Sequence, residues 1–503
     1  MLQDLTTPLS ARQARHLLRR ACSNADPDKV SGVTGRIARE VVEEWLAEPL
    51  STTLIPGPSW RSELYPPTTA SSDEVNEFTQ NNRYWVQEIR ELWLEDLLSG
   101  TLRARMTLFW HNHFVTDVLK YRYGTLAHAY VQRLTFAALA DFKAMALGFV
   151  TDGSMLYYLD GRFNRKSAPN ENFARELLEL FLMGQHDADG NSNYTQEDIV
   201  EAARALTGWT MNVRSSWISY KLSRNVDAEE KTIFGQTGNF DHEDLIDLIF
   251  TERKTQVASY LSRTLLAEFL FADPPRELVD TLAERVIAHD FRIGPIMAEI
   301  LSSEVFFDSQ YEGACIKSPV EYLLQDVSAF KGNPSANTEL RTVLTSVLSS
   351  LGQTLLSPPN VAGWPGYHSW LSTDTVPARW SFADLILNSS AAGVDYPAVI
   401  DRYVEPGDPY PAVSMALNLA EAMFAVPLEL VEVPEMEQPF SGNLDQFPFP
   451  DDLMDGPAYR INLVKLFLGA TPWYEWNPND SLAWIMVRNY VVALCKFPEY
   501  QLT

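Results

Sequence analysis

Met106-Thr-Leu-Phe-Trp-His-Asn-His-Phe114 is the stretch on which the reading of the fold turns. It is apolar and aromatic, broken by a His-x-His pair at His111 and His113. Residues two apart point roughly 200° apart around a helix but to one face of a strand. On a strand the two imidazoles can share a metal ion; on a helix they cannot. The surrounding residues 101–118 repeat with helical periodicity, which predicts a helix with the two histidines on different sides. Two readings follow. Either each histidine hydrogen-bonds its own neighbour while the aromatics fill the core, or one of them serves as a ligand or proton shuttle.

The same periodicity extends over most of the chain. Helices are expected near 11–21, 35–47, 81–99, 124–148, 171–183, 196–207, 241–251, 254–270, 276–289, 293–306, 319–331, 338–351, 377–388, 411–424, 459–468 and 481–496. Leu, Ala, Glu and Arg dominate these stretches, in agreement with helix propensity. Only 215–234 looks extended, with Trp217, Ile218, Tyr220, Thr232, Ile233 and Phe234 favouring strand and Asn225 and Asp227 between them. The fold class is therefore mainly α: a large multi-helical body with a short β-hairpin near 215–234 and long irregular loops. Residues 51–72 and 431–457 are the loops, the second holding five prolines and seven acids with no Lys or Arg. A main body over 1–392 and a C-terminal helical portion over 393–503, either separate or part of the same domain, are expected.

With 503 residues, 46% of them hydrophobic, the chain can bury a large core. The charge is 40 Lys and Arg against 66 Asp and Glu, a net of -26, which repels polyanions and argues against nucleic acid as a partner. No apolar run reaches the roughly 18 residues of a transmembrane helix. Cys22, Cys315 and Cys495 are odd in number and widely spaced, so no disulfide framework or Cys-x-x-Cys site is expected. Met1 to Ser10 lacks the basic and apolar regions of a signal peptide, which predicts a cytoplasmic chain or one exported with a partner.

Pro169-Asn-Glu-Asn-Phe-Ala-Arg-Glu-Leu-Leu-Glu-Leu-Phe181 opens a helix, with Asn170 as its N-cap and Glu171 at the positive end of the dipole. Glu171, Arg175 and Glu179 follow at spacings of four, so Arg175 can pair with either acid. Glu176 and Glu179 at i, i+3 can instead be carboxylate ligands, although the Glu-x-x-His spacing of di-iron bundles is absent. Thr195, with Asp198 three residues on, reads as a capping box for the next helix, which Gly208 ends. Between the two lies Asp187-Ala-Asp-Gly-Asn-Ser-Asn-Tyr-Thr-Gln-Glu-Asp198. Asp187, Asp189, Asn191, Asn193, Thr195 and Asp198 fall at the ligand positions of a calcium loop. Ser192 stands where such a loop wants Gly, and Asp198 is shorter than the usual closing Glu. An Asp/Asn/Gly turn is the competing reading.

Pro358-Pro-Asn-Val-Ala-Gly-Trp-Pro-Gly366 is not helical, since prolines and glycines dominate it. Trp364, Tyr367 and Trp370 either stack on a sugar or peptide or plug the core. No GxSxG, Walker loop, HExxH or dinucleotide fingerprint occurs.

His16-Leu-Leu-Arg-Arg20, Phe109-Trp-His-Asn-His-Phe114, Pro169 to Glu179, Tyr194-Thr-Gln-Glu-Asp198 and Ala203-Arg-Ala-Leu-Thr-Gly-Trp209 together resemble a bacterial family, domain of unknown function 1800. Lys231-Thr with Gly235, Lys317-Ser-Pro-Val-Glu321, Pro359 to Gly366 with Trp370, and Pro498-Glu-Tyr-Gln501 continue the resemblance in family order. Val226-Asp227 stands where the family tends to show His-Asp. The resemblance implies pairing with a protein similar to sulfatases (domain of unknown function 1501), hence a two-component envelope or export system. A non-catalytic helical binding or scaffold protein is the first functional expectation. A metal-dependent hydrolase or oxidase using His111, His113, Glu171, Glu176, Glu179 and Asp160 is an alternative. Glycan binding through the Trp-rich loop is another.

Overall fold

The computed structural model describes residues 2–49, 55–329, 338–388, 395–434, 453 and 456–503. Most of the expected loop 431–457, and residues 51–54 of the loop 51–72, lie outside the described residues. Helix makes up 59% of the structure, against two two-stranded sheets, so the protein is mainly α as the periodicity predicts.

The chain divides into two compact units, each assembled from separated stretches. The first holds Met1–Pro8, Arg36–Phe306 and Gln353–Pro365; the second holds Leu9–Gly35, Phe307–Gly352 and Gly366–Thr503. Residues on both sides of position 392, in the helices Thr375–Asn388 and Tyr396–Tyr403, fall in the second.

In the first unit the helix Leu102–His113 is buried almost all the way round, and Phe109, Trp110, His111 and His113 are all inside. A helix apolar on every side belongs at the centre of a body rather than on its surface. Thr101 caps it by accepting from the Ala104 N–H at 3.1 Å, and Trp110 Nε1 donates to the Ala138 carbonyl at 2.9 Å. Rings continue outward from it: Phe114 stacks on Phe149 at 4.6 Å, and Trp110 on Phe142 at 5.5 Å. Each such ring removed from water contributes about 2–3 kcal/mol. Around it pack Ser72–Leu98 and Gly124–Ala137 among others. Ser72–Leu98 begins well before the expected 81, because Ser71 and Glu74 form a capping box that extends it.

The extended region is two short antiparallel ladders. Trp209–Thr210 pairs with Tyr220–Lys221, and Lys231–Ile233 pairs with Gln236–Gly238. The strand-favouring residues of 215–234 are thus divided between two partners. The second ladder turns through Phe234 and Gly235, both at positive φ (52° and 82°), the backbone of a two-residue hairpin that suits the twist of the strands. Cys22, Cys315 and Cys495 are buried and not in disulfides. Among the described residues no helix is long and apolar enough to cross a membrane.

Candidate functional site

The two histidines of Leu102–His113 face different surroundings. His111 is fully buried, its Nδ1 3.0 Å from the Tyr130 hydroxyl, and its Nε2 accepts from the Leu356 N–H at 3.2 Å. The Tyr130 hydroxyl itself donates to the Phe114 carbonyl at 2.7 Å. Its one proton being used, it accepts from His111, which must therefore carry its proton on Nδ1. Burial pushes the His111 pKa down to about 3, so the ring is neutral and both nitrogens are occupied. His113 Nε2 donates to the Phe181 carbonyl at 2.7 Å among Phe109, Trp110 and Phe114. Burial lowers its pKa to about 4, although the Phe181 carbonyl opposes the shift.

Between them, Asn112 holds the Gly-Trp loop. Its Oδ1 accepts from the Trp364 N–H at 2.7 Å, and its Nδ2 donates to the Trp364 carbonyl at 3.2 Å. Gly363, at φ 81°, passes so close that a Cβ would lie 2.6 Å from the Asn112 carbonyl oxygen. Leu356 sits at φ 65°, a strained value for a side-chain-bearing residue. Its N–H bonds His111, and its carbonyl accepts from Val118 N–H at 2.9 Å. Trp364 is buried, edge-on to His111 at 5.3 Å. Trp364 is thus a core plug in the first unit. Tyr367, half-buried at φ 49°, and buried Trp370 belong to the second unit.

The Pro169 string folds as expected at its start. Asn170 caps Glu171–Glu176 by accepting from the Phe173 N–H, and its amide reaches the Leu159 carbonyl. Buried Asn164 accepts from Asn170 N–H at 2.9 Å and donates to the Ala203 carbonyl at 3.0 Å, so it joins this string to the helix Gln196–Ala205. The helix then widens into a π-helix over Leu177–Met183. Arg175 departs from expectation. Its hydrogen bond goes to Gln196 Oε1 at 2.9 Å, and Gln196 Nε2 donates to Glu171 at 3.0 Å. Gln196 thus stands between the acid and the base at the surface, in place of a direct Arg175 pair with Glu171 or Glu179. Glu179 accepts from the Tyr194 hydroxyl at 2.9 Å. Burial, then the Glu179 charge, raises the Glu176 pKa, against the pull of Arg175.

His111 and His113 bond Tyr130, Leu356 and Phe181 rather than the acids of this helix, and Asp160 lies at the surface 4.0 Å from Lys120. Among the described residues no three His, Cys, Asp or Glu side chains are grouped as a metal ligand set.

The loop after the π-helix uses its oxygens on the chain's own donors. Asp187 accepts from the N–H groups of Asp189 and Asn191, and Asp189 pairs with Arg276 at 2.8 Å. Asn193 points inward to the Met183 and Gly184 carbonyls. Thr195 and Asp198 form the expected capping box, and the second Asp198 oxygen accepts from the Phe234 N–H at 2.7 Å. Beside this loop, the helices Lys254–Phe269 and Arg276–Ala288 border a cleft of about 760 Å³. Exposed Gln185, His186, Arg263 and Glu284 line it.

A denser polar network lies where the Ala203–Trp209 and Lys231-Thr strings meet. Arg204 places Nε 2.8 Å and Nη2 3.2 Å from the two oxygens of Asp227, and Nη1 2.7 Å from Glu201. Buried Lys231 donates to the Asp227 and Glu229 carbonyls. Burial raises the Asp227 pKa, but Arg204, the Glu229 N–H and Lys231 bring it below the usual carboxylate value. Asp227 is a structural hub here, and Arg204 is its fork.

In the second unit the remaining strings also turn inward. Fully buried Arg379 donates to the Gln501 side chain at 3.2 Å and the Lys317 carbonyl at 2.8 Å, while Lys317 Nζ lies 3.7 Å over the Tyr500 ring. Arg19 donates to the Phe424 and Ala422 carbonyls at the end of the helix Pro411–Met423. The sequence alone gives Asn112, Asn164 and Gln196 no role, and marks Asp227 only as a turn residue beside Val226. A polar side chain inside an otherwise buried helix, as at Asn112, is the one signal available beforehand.

Comparison with known proteins identifies the family. The family model described as a protein of unknown function (DUF1800) matches residues 16–458, and the chain belongs to that family. No curated protein and no solved structure matches it.

Proposed function

We propose that this DUF1800 protein is a non-catalytic helical binding or scaffold protein that works with a sulfatase-like partner in a bacterial envelope or export system. One observation carries the non-catalytic part of this reading. The polar atoms of the signature strings are used on the chain itself: both nitrogens of His111, both ends of the Asn112 amide, and the Asp227 carboxylate. A catalytic base or ligand needs a free lone pair facing a cavity, and His111 has none. The acidic charge and the exposed polar cleft beside Gln185–Asp189 offer a surface for a protein or polar ligand. The partner's identity comes from the resemblance of the signature strings.

Tagged chain purified from native lysate tests the reading. Co-purification of a sulfatase-like protein in fixed ratio supports it. A chain that stays monomeric there, or that carries stoichiometric zinc, iron or manganese by elemental analysis, overturns it in favour of an enzyme.

A further inference from the structure

The second unit contains a cleft of about 440 Å³ between the helices Ala11–Cys22, Pro27–Val33 and Tyr396–Tyr403 and the end of Pro411–Met423. Ala25, Pro27, Val30 and Met423 give it an apolar wall, and Arg15 and Arg402 enter from different helices. Both guanidinium groups are largely buried, with side chains only 16% and 15% exposed.

Their protein partners are one-sided. Arg15 Nη2 meets Glu421 Oε1 at 3.0 Å, and that acid is 43% exposed. Arg402 Nη2 lies 3.7 Å from Asp28 Oδ1, beyond hydrogen-bond distance, and Asp28 is 70% exposed. Arg402 makes no hydrogen bond among the described residues, and its Nη1 is wholly buried. A buried guanidinium carries five donors in a planar fork, so leaving it with only a distant surface acid is costly. Tyr403, also lining the cleft, reports the convergence. Burial raises its pKa, while Arg402, Arg15 and Arg19 all oppose that shift, with Asp26 adding to it. Three cations therefore act on one hydroxyl, which itself makes no hydrogen bond among the described residues.

We propose that this cleft binds a small organic anion, its oxyanion headgroup bridging Arg402 and Arg15 and its apolar body lying against Val30 and Met423. A planar two-oxygen headgroup matches the guanidinium fork, and the Tyr403 hydroxyl supplies a third donor. Glu421, being solvent-exposed, can turn outward as the anion enters. Carboxylates and phosphate monoesters share this chemistry. The proposal is independent of any protein partner.

Calorimetric titration of the full chain with benzoate, phenyl phosphate and benzyl alcohol decides it. Binding of benzoate or phenyl phosphate, at least tenfold tighter than benzyl alcohol and weakened by added salt, supports the site; the tighter of the two assigns the headgroup. Arg402→Gln and, separately, Arg15→Gln should each reduce anion affinity tenfold or more, with circular dichroism confirming the fold. If Arg402→Gln does not fold, Arg402→Lys replaces it, retaining charge without the fork, and the same loss is expected. Failure of both anions to bind the unmodified chain, equal binding of benzyl alcohol, or full affinity in the arginine variants would overturn the proposal.

Discussion

Asn112 grips the backbone of Trp364 with both ends of its amide, although the two residues are 252 positions apart. A side-chain amide can copy one step of a β-ladder in this way, and it fastens an irregular loop to a rigid helix. His111 holds Leu356 by one bond, accepting from its N–H. The Gly-Trp string and the His-Asn-His string are two halves of one joint.

Breaking that joint should cost stability without touching secondary structure. Asn112→Ala leaves the Trp364 N–H and carbonyl without their partner, a loss of about 2 kcal/mol. Gly363→Ala should cost more, because a Cβ there collides with Asn112 and because φ is 81°. Urea midpoints of the purified variants check both. A midpoint unchanged in Gly363→Ala would sink the account of this joint.

The histidines make stability fall in acid. Burial lowers the pKa of His111 to about 3 and of His113 to about 4, from 6.5. Both are neutral in the folded chain but take up protons near pH 6.5 once unfolded. Their effect is absent above about pH 7 and grows as pH drops towards 4, by up to about 1.4 kcal/mol per pH unit for each. His113→Gln, which keeps a donor for the Phe181 carbonyl, should flatten the fall between pH 6.5 and 4.5 by one proton's worth in pH-dependent denaturation.

Asp96 should act in the opposite sense. It lies in the last turn of Ser72–Leu98, where the helix dipole disfavours negative charge, and its buried Oδ2 has no hydrogen bond. Burial raises its pKa to about 7, with Arg103 opposing. The folded chain keeps it protonated while the unfolded chain ionises it above about pH 4, so stability drains away as pH rises from 4 to 7. Asp96→Asn should therefore stabilise the protein by about 1–3 kcal/mol at pH 8 and leave it unchanged at pH 4. Thermal denaturation at the two pH values measures this.

Two arginines of the signature strings should behave differently. Arg204→Ala removes the cation that Asp227 and Glu201 share, leaving Asp227 only the Lys231 cation at 3.9 Å among the described residues, and should cost about 3 kcal/mol. Arg175→Ala removes only an exposed bond to Gln196, and should cost less than about 1 kcal/mol. Equal losses from the two would contradict the network described here.

Calcium provides a further check on the Asp187–Asp198 loop. Its oxygens already accept from the loop's own N–H groups, from Arg276 and from Phe234, so binding would have to break those bonds first. Chelator treatment should leave the melting temperature unaltered, and millimolar calcium should produce no binding heat.

Much of the architecture was readable in short windows of sequence. Helix class, the Asn170 and Thr195 caps, and the separation of His111 from His113 all depend on residues within one or two turns of each other. Periodicity and capping are local physics, so the chain declares them locally. The partners were another matter. Nothing near Arg175 indicates that Gln196 rather than Glu179 will receive it, because the choice rests on where a second helix lands. Asn112 meets Trp364, Asn164 meets Ala203, and Arg204 meets Asp227 only once the packing of the aromatic interior has set the distances between elements. The two-ladder pairing around Phe234-Gly235 and the discontinuous make-up of both units belong to the same class. Sequence determined which segments coil and how their ends are capped, since those bonds close within a few residues. Tertiary structure alone decided which polar groups satisfy one another, since a buried donor can take only an acceptor that the packed core brings within 3 Å or so.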